Sequence, residues 1–257
     1  MTRIFLDPGH GGSDPGAVGN GLQEKTLNLS IATRIRDILL SEYQGVEVRM
    51  SRTSDVFVSL SDRTQQANAW NANYFMSIHI NAGGGTGFES FIHTNAGAET
   101  ARIQGIVHPA IMQQLNVTNR GQKRANFAVL RTSTMPAILT ENLFIDRAAD
   151  ADLLRSPAFL DRVARGHVNG LAQAFNLQRS GGGGGGTIYR VQVGAFSVRA
   201  NADQQQARLR ADGYESIIVQ SGSLFLVQAG AFSVRANADA LANELRGRGY
   251  DAVVISS

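Results

Sequence analysis

Two histidines and two glutamates stand where they could assemble a reactive centre. His10 lies in a glycine-rich run just after the predicted strand at residues 3–7, and Glu24 closes that run. His79 and Glu141 lie at the ends of two further apolar stretches, YFMSIHI and AILTE. Two imidazoles and one carboxylate are the ligand set of a catalytic zinc ion, which keeps a fourth position open for water. The second carboxylate would then serve as general base and proton donor.

The glycine-rich run, LDPGHGGSDPGAVGNGLQE at residues 6–24, holds six glycines and two prolines. Glycine adopts tight and left-handed backbone conformations that other residues avoid. Backbone of this kind would bring His10 and Glu24 to one ion and still leave room for a substrate. The run is therefore interpreted as the loop that builds one side of a metal site.

Each candidate also has a structural explanation that its spacing leaves open. A histidine near a strand end is often a hydrogen-bonded structural residue. Glu24 could be a first-turn acid that suits the helix dipole, and Glu141 could be one half of an ion pair. The sequence has no HExxH motif, which would have indicated a metal site by itself. His93, His108 and His167 are interpreted as structural or surface residues.

Alternating strand and helix patterns over residues 1–178 predict an α/β fold with an open, largely parallel sheet flanked by helices. In such sheets the ligand crevice lies beyond the carboxyl ends of the strands. The four candidate residues are therefore expected to converge at one edge of one sheet. The predicted strands are residues 3–7, 46–50, 74–80, 88–92, 128–131 and 137–141, and the predicted helices are residues 24–41, 60–70, 99–115 and 157–175.

An internal repeat predicts a second, small α/β domain. Six consecutive glycines in residues 179–186 read as a flexible linker, and behind it YRVQVGAFSVRANAD and FLVQAGAFSVRANAD begin 36 residues apart. Each copy has the pattern of a βαβ unit that is too small to stand alone. The two are expected to share one sheet, with both helices on one face, in a ferredoxin-like split βαβ arrangement. The predicted domains are therefore residues 1–178 and 187–257.

Composition narrows the class of protein. Hydrophobic residues make up 43% of the 257 and charged residues 18%, which is typical of a folded chain. The net charge of +3 is not gathered into a basic run, so no nucleic-acid partner is expected. There is no cysteine for a disulfide or a thiolate site. The start of the chain lacks the apolar run of a signal peptide, and nothing resembles a membrane span, so we expect cytoplasmic synthesis and no membrane partner.

Six features, taken in order, resemble the zinc-dependent N-acetylmuramoyl-L-alanine amidases. They are LDPGHGGSDPGAVG, the following Glu24, SRTSD, SIHINA, GFESFI and LTENLFID, and the resemblance covers nearly all of residues 3–175. This family cleaves the amide between the lactyl group of N-acetylmuramic acid and the first L-alanine of the peptide stem. The resemblance implies one Zn²⁺ ion held by His10, Glu24 and His79, with Glu141 as the catalytic carboxylate.

The repeat resembles a SPOR domain, a module that binds peptidoglycan glycan strands, through its segments VQVGAFS and VQAGAFS. The whole layout resembles the mother-cell-lysis amidases of sporulating Bacillus-type bacteria, and phage endolysins of the same family are the near alternative. The resemblance implies peptidoglycan as the partner of both domains. It also implies action on the cell wall after release from the cell.

Several residues are predicted to contact substrate. Asn81 and Glu89 lie close in sequence to the metal strands and could touch substrate or orient ligands. By strand parity, Gln192 and Gln228 should point to the open face of the small sheet and bond sugars. The remaining two, Phe196 and Phe232, are expected either to stack on sugars or to belong to the core.

Two other functions stay open at this point. The first is a non-catalytic wall-binding protein with a degenerate amidase domain. The second is a different zinc hydrolase of the wall, such as a peptidase that cuts within the stem, which spacing alone does not exclude. The intact set of four candidate residues argues against the first, and the family resemblance argues against the second.

Overall fold

A computed structural model describes residues 1–180, 188–212, 214, 216–232 and 235–256 of the chain. The chain divides into two compact units. The N-terminal unit comprises Met1–Leu39 and Tyr43–Gln178, and the C-terminal unit comprises Leu40–Glu42 and Arg179–Ser257. The predicted linker lies outside the described residues from position 181 onwards, so its limits stay a prediction.

The N-terminal unit alternates strands and helices along most of its length, as the sequence predicts. Its elements are β1 (Thr2–Pro8), β2 (Val18–Gly19), β3 (Leu22–Gln23), α1 (Glu24–Glu42), β4 (Tyr43–Gln44), β5 (Val46–Met50), α2 (Leu60–Ala69), β6 (Tyr74–Asn81), β7 (Phe88–Ile92), α3 (Ala98–Gln114), β8 (Asn119–Arg124), α4 (Ala128–Thr132), β9 (Ala137–Phe144), α5 (Ala148–Leu154), α6 (Pro157–Ala174) and β10 (Gln178–Arg179).

Six of these strands form one sheet in the order β5-β1-β6-β9-β7-β8. The four strands β5, β1, β6 and β9 run parallel to one another. Strand β7 is antiparallel to β9, and β8 is parallel to β7. The prediction of a largely parallel sheet flanked by helices is therefore confirmed.

The central strands are buried on both faces because helices cover both, which is why they read as near-continuous apolar runs. In β1, Ile4 and Leu6 pack into the cluster formed with α1, α3 and α6, whereas Phe5 packs into a cluster with α2 and α4. Helices α3 and α6 pack very closely, since a Cβ added at Gly166 would lie 2.7 Å from the Cα of Ile111.

The structure corrects three details of the predicted elements. Residues 128–131 are not a strand but most of helix α4, where the Arg131 N–H donates to the Phe127 carbonyl at 3.0 Å. A short apolar run cannot separate a buried helical turn from a strand. Strand β8, NRGQKR, was not predicted, because its polar sequence has no apolar alternation. Strand β9 continues to Phe144, so Glu141 lies inside a strand and not at its end.

The C-terminal unit has the predicted split βαβ arrangement. Its four strands pair in the order β12-β13-β11-β14, and every neighbouring pair is antiparallel. Val191, Val193 and Val227 point into a core shared with both helices. The second small α/β domain is thus confirmed. Its elements are β11 (Tyr189–Phe196), α7 (Arg199–Ala211), β12 (Ile217–Ser221), β13 (Leu224–Phe232), α8 (Arg235–Gly247) and β14 (Val253–Ser256).

Candidate metal centre and wall-binding face

The structure brings three of the four candidate residues into one cluster. Ligand atoms of His10, Glu24 and His79 all lie within 4.8 Å of one another. The Nε2 atom of His10 is 3.3 Å from Oε2 of Glu24, and Nδ1 of His79 is 2.9 Å from Oε1 of the same carboxylate. The two imidazole rings meet edge to face with centroids 5.1 Å apart. Three residues that are distant in sequence thus form one donor set.

Glu24 is the first residue of α1, and its carboxylate is buried. Oε1 accepts hydrogen bonds from the Ile80 N–H at 3.1 Å and from Nδ2 of Asn28 at 3.2 Å. Oε2 accepts one from the Ala17 N–H at 2.8 Å. Burial alone would raise the pKa of Glu24, but hydrogen bonds to His10 and His79 hold that pKa far below its usual range. The Glu24 carboxyl group is therefore ionised in the folded protein.

His10 has a backbone conformation that suits its role in the loop. Its φ is 61°, in the left-handed region. Its Nδ1 lies 2.8 Å from Oδ2 of Asp14, which leaves Nε2 to face Glu24. The hydrogen bond with Glu24 raises the pKa of His10 to about 9. Sequence reasoning missed Asp14, although a carboxylate four residues after a candidate ligand is a signal for the orienting partner that metal-bound imidazoles commonly have.

Two glycines in the loop make room for the donor set. A Cβ added at Gly9 would lie 2.2 Å from Cε1 of His79. A Cβ added at Gly16, whose φ is 65°, would lie 2.6 Å from Oε2 of Glu24 and 2.7 Å from the His10 ring. The close approach of backbone to these side chains explains part of the glycine content of the run.

Glu141 lies beside this cluster, in the same row of the sheet. It is the register partner of His79 on β6 and of Glu89 on β7. Its Oε2 is buried and has no hydrogen-bond partner among the described residues. Burial raises the pKa of Glu141 to about 7. The sheet thus places a carboxyl group that can exchange a proton near neutral pH next to a three-ligand donor set.

The two other residues predicted near the site bond each other. Nδ2 of Asn81 donates to Oε1 of Glu89 at 2.6 Å, and Oε2 of Glu89 accepts from Nε of Arg120 at 3.0 Å and from Nζ of Lys123. Burial would raise the pKa of Glu89, but the bonds from Lys123 and Arg120 lower it overall. Both cations come from the unpredicted strand β8. Asn81 and Glu89 stay predictions as substrate contacts.

A cleft of about 470 Å³ opens over this row of the sheet. His10, His79 and Glu141 line one part of it. Phe57 and Phe127 line another part and remain exposed. Sequence reasoning missed these apolar residues, because nothing in their local pattern distinguishes them from loop residues. The cleft has the mixed character of a ligand site, with an apolar wall and a few convergent polar groups.

The small sheet of the C-terminal unit carries a symmetric row on the face away from its helices. Gln192 and Gln228 are direct cross-strand partners at the centre of the row, and Ile217 and Val253 flank them on the outer strands. Members of each pair stand 36 residues apart, at equivalent positions of the repeat. Both aliphatic side chains are exposed. The two glutamines thus lie together on the predicted face, where Gln192 is partly exposed and Gln228 is largely covered by its neighbours, and sugar binding stays a prediction for both.

Phe196 and Phe232 occupy equivalent positions of the repeat, and both are partly buried against the core cluster. The ring of Phe196 lies over Gly194, where an added Cβ would be 2.6 Å away, and Phe232 lies over Gly230 at 2.7 Å. This placement favours the core interpretation for both phenylalanines. Stacking on sugars stays a prediction for whatever part of each ring is exposed.

Comparison with known proteins agrees with this geometry. Residues 4–173 match the family N-acetylmuramoyl-L-alanine amidase, and residues 185–256 match the SPOR domain. None of the helices in the described residues has the length and hydropathy to span a bilayer.

Individual relatives and a solved structure point the same way. The chain is 55% identical over 219 residues to a sporulation-specific N-acetylmuramoyl-L-alanine amidase of Bacillus subtilis, with 85% of each chain covered. It is 45% identical over 186 residues to an endolysin of Bacillus phage SPP1, covering 70% of this chain and 68% of that one. It is also similar to the catalytic domain of an N-acetylmuramoyl-L-alanine amidase from Bacillus (Paenibacillus) polymyxa var. colistinus, with a TM-score of 0.66, 32% identity and coverage of 69% of this chain and 100% of that one.

The matched segments contain the donor set, the neighbouring carboxyl group and the symmetric sheet face. The chain therefore belongs to the N-acetylmuramoyl-L-alanine amidase family, as a peptidoglycan amidase with a C-terminal SPOR domain.

Proposed function

We propose that the N-terminal unit is a zinc-dependent hydrolase that cleaves the amide between N-acetylmuramic acid and L-alanine. One observation carries the proposal. Two imidazoles and a carboxylate have ligand atoms within 4.8 Å of one another, and both imidazoles line a cleft that Glu141 also lines. Family membership directs the choice of substrate, and the donor set directs the choice of metal.

The residues present fit a zinc ion. Nitrogen and oxygen donors in a His, Glu, His set are those of catalytic zinc sites, and three protein ligands leave a position for substrate or water. The contact of His10 with Asp14 supplies the outer carboxylate that fixes a ligand imidazole. A bound zinc ion would polarise the scissile carbonyl and make a water molecule acidic enough to react near neutral pH. His10, Glu24 and His79 would hold it.

Glu141 is suited to move the proton. Without metal, burial raises the pKa of Glu141 to about 7, and a carboxyl group that titrates this far above its ordinary range is suited to accept a proton from the attacking water and then release it. Its buried Oε2 has no bond to another described residue, so that atom is free to take up the proton. As the carbon–nitrogen bond breaks, the same oxygen returns the proton to the departing amine of L-alanine. One carboxyl group thus serves both halves of the hydrolysis.

For the C-terminal unit we propose binding to glycan strands of peptidoglycan. The face that carries Gln192 and Gln228 offers amide donors and acceptors, and the aliphatic side chains of Ile217 and Val253 flank them. Covalent linkage to a wall-binding unit would raise the effective concentration of the N-terminal unit at its substrate. The SPOR match supports the choice of ligand.

The proposed context is lysis of the cell wall, and mother-cell lysis during sporulation in particular. The relative of 55% identity, named for sporulation, matches this chain over both units, whereas the phage endolysin matches a smaller share of it. Phage-driven lysis is the alternative. Either context uses the same chemistry.

The test is end-group analysis of purified cell walls digested by the full chain, with and without a zinc chelator. New free amino groups on L-alanine, absent when chelator is present, are the expected result. New amino groups on other stem residues would instead identify a peptidase. Wall binding without any new end groups would overturn the catalytic proposal and leave a wall-binding protein.

A further inference from the structure

Two buried arginines bind the backbone of the loop that carries His10. As the chain leaves β1, the carbonyl of Pro8 accepts hydrogen bonds from Nε of Arg52 at 3.0 Å and from Nη1 of Arg63 at 2.8 Å. The Gly9 carbonyl accepts from Nη2 of Arg52 at 3.0 Å, and the His10 carbonyl accepts from Nη2 of Arg63 at 2.8 Å. Three consecutive carbonyls are thus held by two guanidinium groups.

Every nitrogen of both guanidinium groups is engaged. Arg52, only 3% exposed, also donates to the carbonyls of Ser54 at 3.2 Å and Lys25 at 2.7 Å. Arg63, only 2% exposed, also donates to the Val58 carbonyl at 3.0 Å. Arginine provides these donors in a rigid planar fork, which lysine with its single nitrogen does not. The arginine loop clamp, defined as Arg52 and Arg63 with these contacts, therefore needs guanidinium chemistry.

A buried carboxylate partly balances the two charges. Oδ1 of Asp7 accepts from Nη1 of Arg63 at 2.8 Å and from Ser51 Oγ at 2.6 Å, while Oδ2 accepts from Ser77 Oγ at 2.8 Å. For Arg52 the described contacts are to backbone carbonyls. Burying a cation in this way is costly unless its geometry is fully satisfied. Two such cations at the base of one loop indicate a role that a hydrophobic pair could not fill.

That role concerns the direction of the His10 side chain. His10 has a φ of 61°, so its backbone is in a region that non-glycine residues seldom adopt. Such a conformation persists only where surrounding contacts fix it. Fixing the carbonyls of residues 8–10 fixes the peptide planes on both sides of His10. This in turn sets where its ring points, with Nε2 toward Glu24.

We propose that Arg52 and Arg63 are positioning residues of the metal centre, holding residues 8–10 so that the His10 ring meets Glu24 and His79. The inference rests on the zinc site put forward above. Loss of either fork would let the loop relax, and the donor set would hold metal less tightly. Neither arginine ligates metal or moves a proton. The SRTSD segment, which contains Arg52, thereby acquires a specific role.

The first experiment measures zinc affinity of the full chain by competition with a chromophoric chelator, in wild type, Arg52→Lys and Arg63→Lys. We expect each variant to bind zinc about 10- to 100-fold more weakly, the usual effect of removing a residue that orients a ligand. The matched control is Arg102→Lys, because Arg102 pairs with Glu99 in an exposed ion pair and should leave zinc affinity unchanged. The absorption spectrum of the Co²⁺-loaded protein should shift in the two clamp variants and not in the control.

A second variant separates positioning from general stability. Arg63 lines the cleft, so Arg63→Ala should open a space that free guanidinium ion can enter. Zinc affinity lost in Arg63→Ala should recover in part with guanidinium well below denaturing concentrations, and methylammonium should have no such effect. If Arg63→Ala does not fold, the two lysine variants decide the question.

The outcomes distinguish the two proposals. Folded lysine variants with wild-type zinc affinity and an unshifted Co²⁺ spectrum would overturn the positioning role, while the zinc site itself would stand. A wild-type chain that takes up no zinc would overturn the proposed metal centre and this inference with it.

Discussion

The two units of the chain place their polar groups in opposite ways. The N-terminal unit buries many polar and charged side chains, among them Asp7, Glu24, Arg52 and Arg63. In the described part of the C-terminal unit, Gln228 on the sheet face is the least exposed polar side chain, and the core is aliphatic and aromatic. Catalysis needs charged groups that are held in place before substrate arrives. Exclusion of water strengthens their electrostatic interactions. In the C-terminal unit the polar groups proposed for binding lie on one face of the sheet, where Gln192 is partly exposed and Gln228 is 9% exposed.

The two units also differ in symmetry: the proposed binding face is built from a repeated motif, and the metal centre is not. The symmetric row of the C-terminal unit arises from two copies of one motif, which suffices because both halves make the same kind of contact. The metal centre has no such symmetry. Its members come from a loop, a helix start and two different strands, since each must perform a separate task.

The largest expected effect is a loss of hydrolysis without a loss of bound zinc. In Glu141→Gln, the side-chain amide cannot accept a proton from water. The rate at which free amino groups form on L-alanine should therefore fall by about 10²- to 10⁴-fold. Zinc content should stay at the wild-type level, because Glu141 is not one of the three proposed ligands. The matched control is Glu99→Gln, which alters a fully exposed carboxylate. Full activity of Glu141→Gln would refute the assignment of the proton-transfer group.

A second prediction separates the units by their response to acid. Burial lowers the pKa of His167 to about 4, and its Nδ1 and Nε2 lie within 3.0 Å of the Val163 carbonyl and the Thr140 hydroxyl. Between pH 6.5 and 4, His167 binds a proton in the unfolded chain but stays neutral in the folded unit. The N-terminal unit should therefore lose about 3 kcal/mol of unfolding free energy as pH falls through this window. The C-terminal unit contains no histidine and should lack this loss.

Urea unfolding followed by the fluorescence of Trp70, the single tryptophan of the chain, reports the N-terminal unit. Glu141 titrates with the opposite sign, because its raised pKa costs stability as pH rises from about 4.5 to 7. The measurement should therefore use the Glu141→Gln background, with chelator present so that metal binding adds no pH dependence of its own. In that background, His167→Gln should reduce the slope, and part of the slope should remain because burial also lowers the pKa of His108. An equal slope in both proteins would contradict the assignment to His167.

The smallest expected effect lies on the symmetric face. The double variant Gln192→Ala with Gln228→Ala should weaken binding of the protein to purified walls by about 30-fold in a sedimentation assay, since each of the two lost hydrogen bonds contributes about 1 kcal/mol. Gln220→Ala is the matched control, because Gln220 is exposed on β12 but its side chain alternates to the other face. If the control weakened binding as much as the double variant, the symmetric row would not be the wall-binding face.

Much of the fold could be predicted because it depends on local patterns. Alternating apolar strands and amphipathic helices indicated the α/β class, and the 36-residue repeat indicated the second unit. Residues 128–131 were misread as a strand, and β8 was not seen. In both cases tertiary packing decides the conformation, through burial of Val129 and Leu130 in the first and backbone pairing with β7 in the second.

For the candidate site, the sequence alone determined the residue types and their order, and the family resemblance implied roles for His10, Glu24, His79 and Glu141. The tertiary structure decided which groups surround them. Asp14 behind His10, the register that sets Glu141 beside His79, and the arginine loop clamp all depend on contacts between distant segments. Hydrogen-bond partners and burial set the pKa of each side chain and the way it points. These contacts exist only in the folded chain. The sequence therefore determined which chemical groups are present, and the fold determined the surroundings in which they act.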